Sequence, residues 1–134
     1  MKKQGVINAQ LAGYLAALGH KDNFMIADAG MPIPKDIPIV DLALTYGIPT
    51  FQQVMDSVLD EICVEKYIIA KEIREYNQSL LKYIESTLPK IPYEEIPHDE
   101  LKNRMNRIKF VIRTGECTPY PNIILTAGCA FFKQ

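Results

Sequence analysis

A chain of 134 residues, 48% of them apolar and with a net charge of −1, is long enough to bury a continuous core without a disulfide framework or a structural metal. The near-neutral balance excludes a disordered charged tail and argues against nucleic acid as a partner. Cys63, Cys117 and Cys129 form no Cys-x-x-Cys pair and have no histidine close in sequence, so neither a disulfide scaffold nor a zinc site is expected, and a reducing cytoplasm is the simpler home. One domain over 1–134 is expected.

In chain order, Lys2 and Lys3 ahead of "LAGYLAAL" have the outline of a secretion signal, but Asn8, Gln10, Gly13 and Tyr14 interrupt it. Leu11, Tyr14, Leu15 and Leu18 instead share one helical face, which predicts a soluble amphipathic helix capped by Asn8 and stopped at Gly19, with His20 directly after. "FMIADA" reads as a buried strand, "GMPIPKDIP" as a rigid proline loop and "IVDLAL" as a second strand. Thr50 caps a helix with Phe51, Val54, Met55, Val58, Leu59 and Ile62 on one face. "KYIIAKEI" is a third strand; Asn77 caps a helix through "QSLLKYIESTL", ended by Pro89; "PYEEIP" is a short strand and "HDELKNRMNR" is helical. "KFVIRT" and "NIILTA" are two late strands whose link, "GECTPYP", is too short for a helical crossover. The pattern is an α/β domain, three-layer α/β/α, with a mixed, largely parallel sheet of about six strands. No apolar run approaches the roughly eighteen residues of a membrane span, so no membrane partner is expected.

Ligands of open α/β sheets collect beyond the C-terminal ends of strands. Asp28 late in the first strand, His98 after "EEIP", and Thr118, Tyr120 and Asn122 in "RTGECTPYPN" compete for that place. Each also has a plain structural reading. An imidazole after a helix end suits the dipole, as His20 would; Asp28 can be a solvated strand end; His98 can flank a helix; and "TPYPN" is a turn by composition. Lys102, one turn after Asp99, reads as half of a solvated ion pair. Met25, Met55 and Met105 read as core fillers and Cys117 as a buried, inert thiol. No Gly-x-Gly-x-x-Gly or phosphate-loop pattern occurs, which disfavours hydride and phosphoryl transfer. Acid/base chemistry without a cofactor, or simple binding, on a small polar ligand is what is left.

"MKKQGVINAQLAGYLAALGHKDNFMIADAGMPIP" and "VIRTGECTPYPNIILTAG", with "IVDLAL", "GIPTFQQV" and "AKEI" in matching order between them, resemble the D-ribose pyranase family, to which the fucose mutarotases are related. The resemblance implies an isomerase that interconverts the pyranose and furanose rings of D-ribose in the cytoplasm, within ribose uptake and catabolism, and needs no cofactor or metal. It implies His20 as the catalytic acid/base, Asp28, His98, Tyr120 and Asn122 as sugar-binding positions, and Lys102 in the same pocket. It further implies a homo-oligomer, a decamer of two stacked pentamers, with sites shared between subunits. Pro121 departs from the alanine more usual in the family and should stiffen the Tyr120–Asn122 loop. Two other functions stay open: a mutarotase of fucose or another sugar on the same fold, and a non-catalytic sugar-binding protein associated with transport.

Overall fold

The computed structural model describes residues 1–132. The elements are α1 (Ala9–Ala16), β1 (Asn23–Ala27), β2 (Ile39–Asp41), α2 (Phe51–Leu59), β3 (Val64–Ala70), α3 (Ile73–Tyr76), α4 (Gln78–Thr87), β4 (Tyr93–Ile96), α5 (His98–Asn103) with a 3-10 turn (Arg104–Arg107), β5 (Val111–Arg113) and β6 (Ile123–Ala127).

Local chemistry accounts for several boundaries. Asn8 Oδ1 accepts from the Leu11 N–H at 2.9 Å, so it caps α1 as expected. Thr50 and Gln53 form a reciprocal capping box on α2: Gln53 N–H donates to Thr50 Oγ1 at 3.1 Å and Thr50 N–H to Gln53 Oε1 at 2.9 Å. Helix α1 ends at Ala16, short of Gly19, and it is Lys21 that takes the left-handed backbone, at φ 74. The cause is a turn closed by Asp22, whose Oδ2 accepts from Gly19 N–H at 2.8 Å while its own N–H donates to Gly19 O at 3.1 Å. Strand β2 is cut to three residues because Asp41 Oδ1 accepts from Ala43 N–H at 3.0 Å, an Asx turn that bends the chain away. The "KEI" end of the expected third strand is not strand, since α3 starts at Ile73. Asn77 precedes α4 but makes no cap bond with its side chain. Its Nδ2 donates instead to Thr118 Oγ1 at 3.0 Å and to Pro119 O at 2.8 Å.

The strand order is β2-β5-β1-β6-β3-β4. Pairings β2–β5, β1–β5 and β3–β4 are parallel, while β6 is antiparallel to both β1 and β3. Five strands therefore point one way and β6 the other, the mixed, largely parallel sheet that the short β5–β6 link requires. Alternation along the strands divides the core. Phe24 and Ile26 of β1 join Leu11 and Leu15 of α1, Phe51 and Met55 of α2, and Leu81 and Ile84 of α4 on one face. Met25 and Ala27 join Ile96, Leu101 of α5 and Met105 on the other. Helices thus cover both faces, and Met25, Met55 and Met105 are core fillers, each at most 1% exposed. Burying a side chain of this size contributes about 1.5–3 kcal/mol.

Candidate active site

The edge where β1, β3, β4 and β5 end also holds the start of the reversed strand β6. The register pairs Ile26 with Ile123, which sets Asp28, just past β1, beside Asn122, just before β6. Asn122 is fully buried and grips Asp28 twice: Asp28 N–H donates to Asn122 Oδ1 at 2.9 Å, and Asn122 Nδ2 donates to Asp28 Oδ2 at 3.1 Å. Gly30 N–H donates to the other carboxylate oxygen at 2.9 Å. The Asp28 carboxylate is thereby fixed in direction while the residue stays only half-buried.

Tyr120 stands between two prolines in a left-handed backbone, φ 59, a conformation that costs a non-glycine residue roughly 1–2 kcal/mol. The loop around it supplies compensating ties. Asn77 holds Thr118 and Pro119 as described, and Thr118 Oγ1 donates to Glu116 Oε2 at 2.9 Å. Glu116 Oε1 accepts from the Phe51 N–H at 2.8 Å, joining the loop to the start of α2. At Gly115 a Cβ would lie 2.6 Å from Thr45 O and nearer still to Ile48 O, so only glycine fits. Arg113 Nε donates to Ala29 O at 3.0 Å and its Nη1 to Asp41 Oδ2 at 2.9 Å, bracing the turn after Asp28.

His98 opens α5. Its N–H donates to Glu72 Oε2 at 2.9 Å, its ring meets Tyr120 edge-on at 5.1 Å between centroids, and its Nδ1 is buried without a hydrogen-bond partner among the described residues. Tyr76 packs on Tyr120 from another side at 5.8 Å. Lys102, four residues on and hence on the same helical face, is half-buried. No ion pair joins it to Asp99 among the described residues, contrary to the reading of "HDELK" as a solvated pair. Cys117 is exposed, not buried, because its loop runs over the surface.

Asp28, His98, Tyr120 and Asn122 thus gather at one edge of the sheet, and Lys102 follows one helical turn along α5 from His98. His20 does not join them. It precedes β1, and the five residues of that strand, at about 3.3 Å each, put it roughly 17 Å from Asp28 at the opposite edge. There His20 is half-exposed and lines a cavity of about 920 Å³ with Glu65, Lys66, Ile91 and Cys129 among others. Its Nε2 lies 2.9 Å from Glu65 Oε2, and Lys21 Nζ lies 3.3 Å from Glu65 Oε1. The hydrogen bond from His20, helped by Lys21, holds the Glu65 carboxyl below the usual carboxylate range. Glu65, Glu72 and Asn77 were not singled out as site residues by the sequence pattern. Among the described residues no cluster of three His, Cys, Asp or Glu side chains is placed to hold a metal ion, and no helix is long and apolar enough to cross a membrane.

An α/β sheet with polar side chains gathered on the edge where its parallel strands end has the layout in which proteins of this class hold their ligands. Residues 1–130 match the RbsD / FucU transport protein family, and the chain belongs to that family. It is 45% identical over 131 residues, covering 98% of this chain and all of its counterpart, to the D-ribose pyranase of Bacillus cytotoxicus. It is also 45% identical to Bacillus subtilis RbsD, solved in complex with D-ribose, with a TM-score of 0.93 over 98% of this chain and 100% of that one. The fucose mutarotase of Streptococcus pneumoniae, solved with L-fucose, shares the fold at a TM-score of 0.75 and 19% identity, over 92% of this chain and 94% of that one.

Proposed function

We propose that the protein is an isomerase that interconverts the pyranose and furanose forms of D-ribose. The observation that carries this reading is the full-length likeness, at 45% identity, to a protein solved with D-ribose bound. The chemistry suits the residues. The hydroxyl on C1 loses its proton while the ring oxygen gains one and the C1–O bond breaks, giving the open aldehyde. The hydroxyl on C4 then adds to C1 and its proton is passed back, closing the five-membered ring. His20 is the proton shuttle in this scheme, since imidazole both takes and gives a proton near neutral pH. Asp28, fixed by Asn122 and Gly30, accepts from sugar hydroxyls; Asn122, Tyr120, His98 and Lys102 supply the remaining hydrogen bonds and bind the sugar. Aldose ring opening needs neither an electron sink nor a hydride, so the scheme calls for no cofactor.

The roughly 17 Å between His20 and Asp28 means one chain cannot present both to one sugar. The site we propose is therefore assembled between copies, His20 of one facing the Asp28 edge of the next; that the copies form a decamer of two stacked pentamers is what the family resemblance implies. The single domain over 1–134, the cytoplasmic setting and the place in ribose uptake and catabolism belong to the same proposal.

Saturation-transfer NMR on D-ribose, following exchange between pyranose and furanose anomeric signals, tests it. Exchange should accelerate with the protein and return to the uncatalysed rate with His20→Ala, while ribose binding to that variant stays detectable. No acceleration of ribose exchange would overturn the assignment; acceleration with L-fucose instead would transfer the activity to a mutarotase.

A further inference from the structure

We infer that Glu65 is a positioning residue for His20: by accepting a hydrogen bond from Nε2–H it fixes one neutral tautomer of the imidazole and leaves Nδ1 as the nitrogen that exchanges protons with the sugar. The inference rests on the proposed role of His20 in ring opening. Its support is the way two segments, 45 residues apart, are brought to one point.

On one side is a break in the sheet. Val64 of β3 pairs with Ala127 of β6, but the next pair is Lys66 with Thr126, so two residues of β3 advance against one of β6 and Glu65 has no partner there. Such an irregularity re-aims a side chain that regular alternation would send to the face of Tyr67 and Ile69. Pairing resumes beyond it, where Gly128 N–H donates to Cys63 O at 2.8 Å.

On the other side is the Gly19–Asp22 turn that carries His20, and it is fastened to the same residue of β6. Lys21 N–H donates to Ala127 O at 2.8 Å, and Ala127 N–H donates to Asp22 O at 2.8 Å. The left-handed Lys21 backbone turns the Lys21 side chain to the second oxygen of Glu65, so each carboxylate oxygen has one partner. A half-exposed ion pair of this kind contributes little to stability, less than a left-handed lysine costs. The bulge and the strained turn are better accounted for by what they hold in place, a histidine with one nitrogen engaged and the other without a partner among the described residues, the arrangement by which a carboxylate selects a tautomer.

The test uses the full chain labelled with ¹⁵N-histidine, its two histidines assigned by comparison with His20→Ala. In the wild type the neutral His20 ring should show a protonated Nε2 and an unprotonated Nδ1. In Glu65→Ala the two tautomers should mix, and kcat for ribose ring exchange should fall roughly tenfold or more while KM stays within about twofold. Glu65→Gln keeps a carbonyl acceptor at the same reach and should restore both the tautomer and most of kcat. An unchanged tautomer in Glu65→Ala, or a change in KM with kcat intact, would overturn the inference. Should the wild type fail to accelerate ribose exchange, the functional proposal falls, while the ¹⁵N spectra still decide whether Glu65 sets the tautomer.

Discussion

Replacing Asn122 by Ala removes both bonds that clasp Asp28 to the head of β6. The Asp28 N–H loses its acceptor in a place closed by a fully buried residue, which costs about 1–3 kcal/mol for an unsatisfied donor. The bond from Nδ2 to the carboxylate adds about 1 kcal/mol, kept low because Asp28 is half-exposed and water can take up part of the loss. The sum is about 2–4 kcal/mol. With an unfolding entropy of ~2.1 cal/mol/K per residue over 134 residues, each kcal/mol is ~3.5 °C, so the midpoint should drop by about 7–14 °C. The assay is calorimetric unfolding of wild type and variant at one protein concentration and without sugar, since ligand and assembly both shift the midpoint. Ribose affinity, read by titration calorimetry, should fall as well, because the carboxylate is no longer aimed. A midpoint change under 3 °C would refute the claim that this clasp holds the edge together.

Asp28→Asn should weaken ribose binding roughly tenfold or more and reduce kcat less, checked by titration calorimetry beside exchange NMR; unaltered affinity would sink the assignment of Asp28 as a binder. Gly115→Ala pushes a methyl group into the Thr45 and Ile48 carbonyls, both backbone, so the loop must move; we expect a loss of about 1–3 kcal/mol in urea unfolding. Tyr67 is buried, and burial raises its phenol to about 12. A folded value above the unfolded one, near 10, keeps its contribution intact below pH 10 and removes it as pH climbs from 10 to 12; the urea midpoint should fall across that window, and Tyr67→Phe should flatten the fall.

Much of the fold follows from local pattern. The caps at Asn8 and Thr50, the buried methionines and the reversed last strand all depend on residues close in sequence or on the length of one link. What escaped is set by distant partners. Asn77 looks like a helix cap, yet its amide is claimed by Thr118 and Pro119 some forty residues later. Glu65 lies just before the strand read from "KYIIAKEI", and only the out-of-step pairing of β3 with β6 aims it at His20. The separation of His20 from Asp28 was legible in principle: a buried strand between two polar residues has to send them to opposite edges. "GH" and "IADAG" read as one motif only because they are neighbours in the chain.

Strand β6 touches both edges at once. Asn122 at its head clasps Asp28, and Ala127 at its foot anchors the turn that carries His20. Its five residues act as a ruler of fixed length, and because it runs against its neighbours its head lies where they end and its foot where they begin. Inserting or deleting a single residue there would exchange its side chains between the two cores and, in the same stroke, shift one edge relative to the other. In the assembly proposed above, each copy would then be a misproportioned brick, unable to meet an identical neighbour at the spacing the opposite edge demands. Side chains along β6 can be exchanged for others of similar volume, but its length cannot vary.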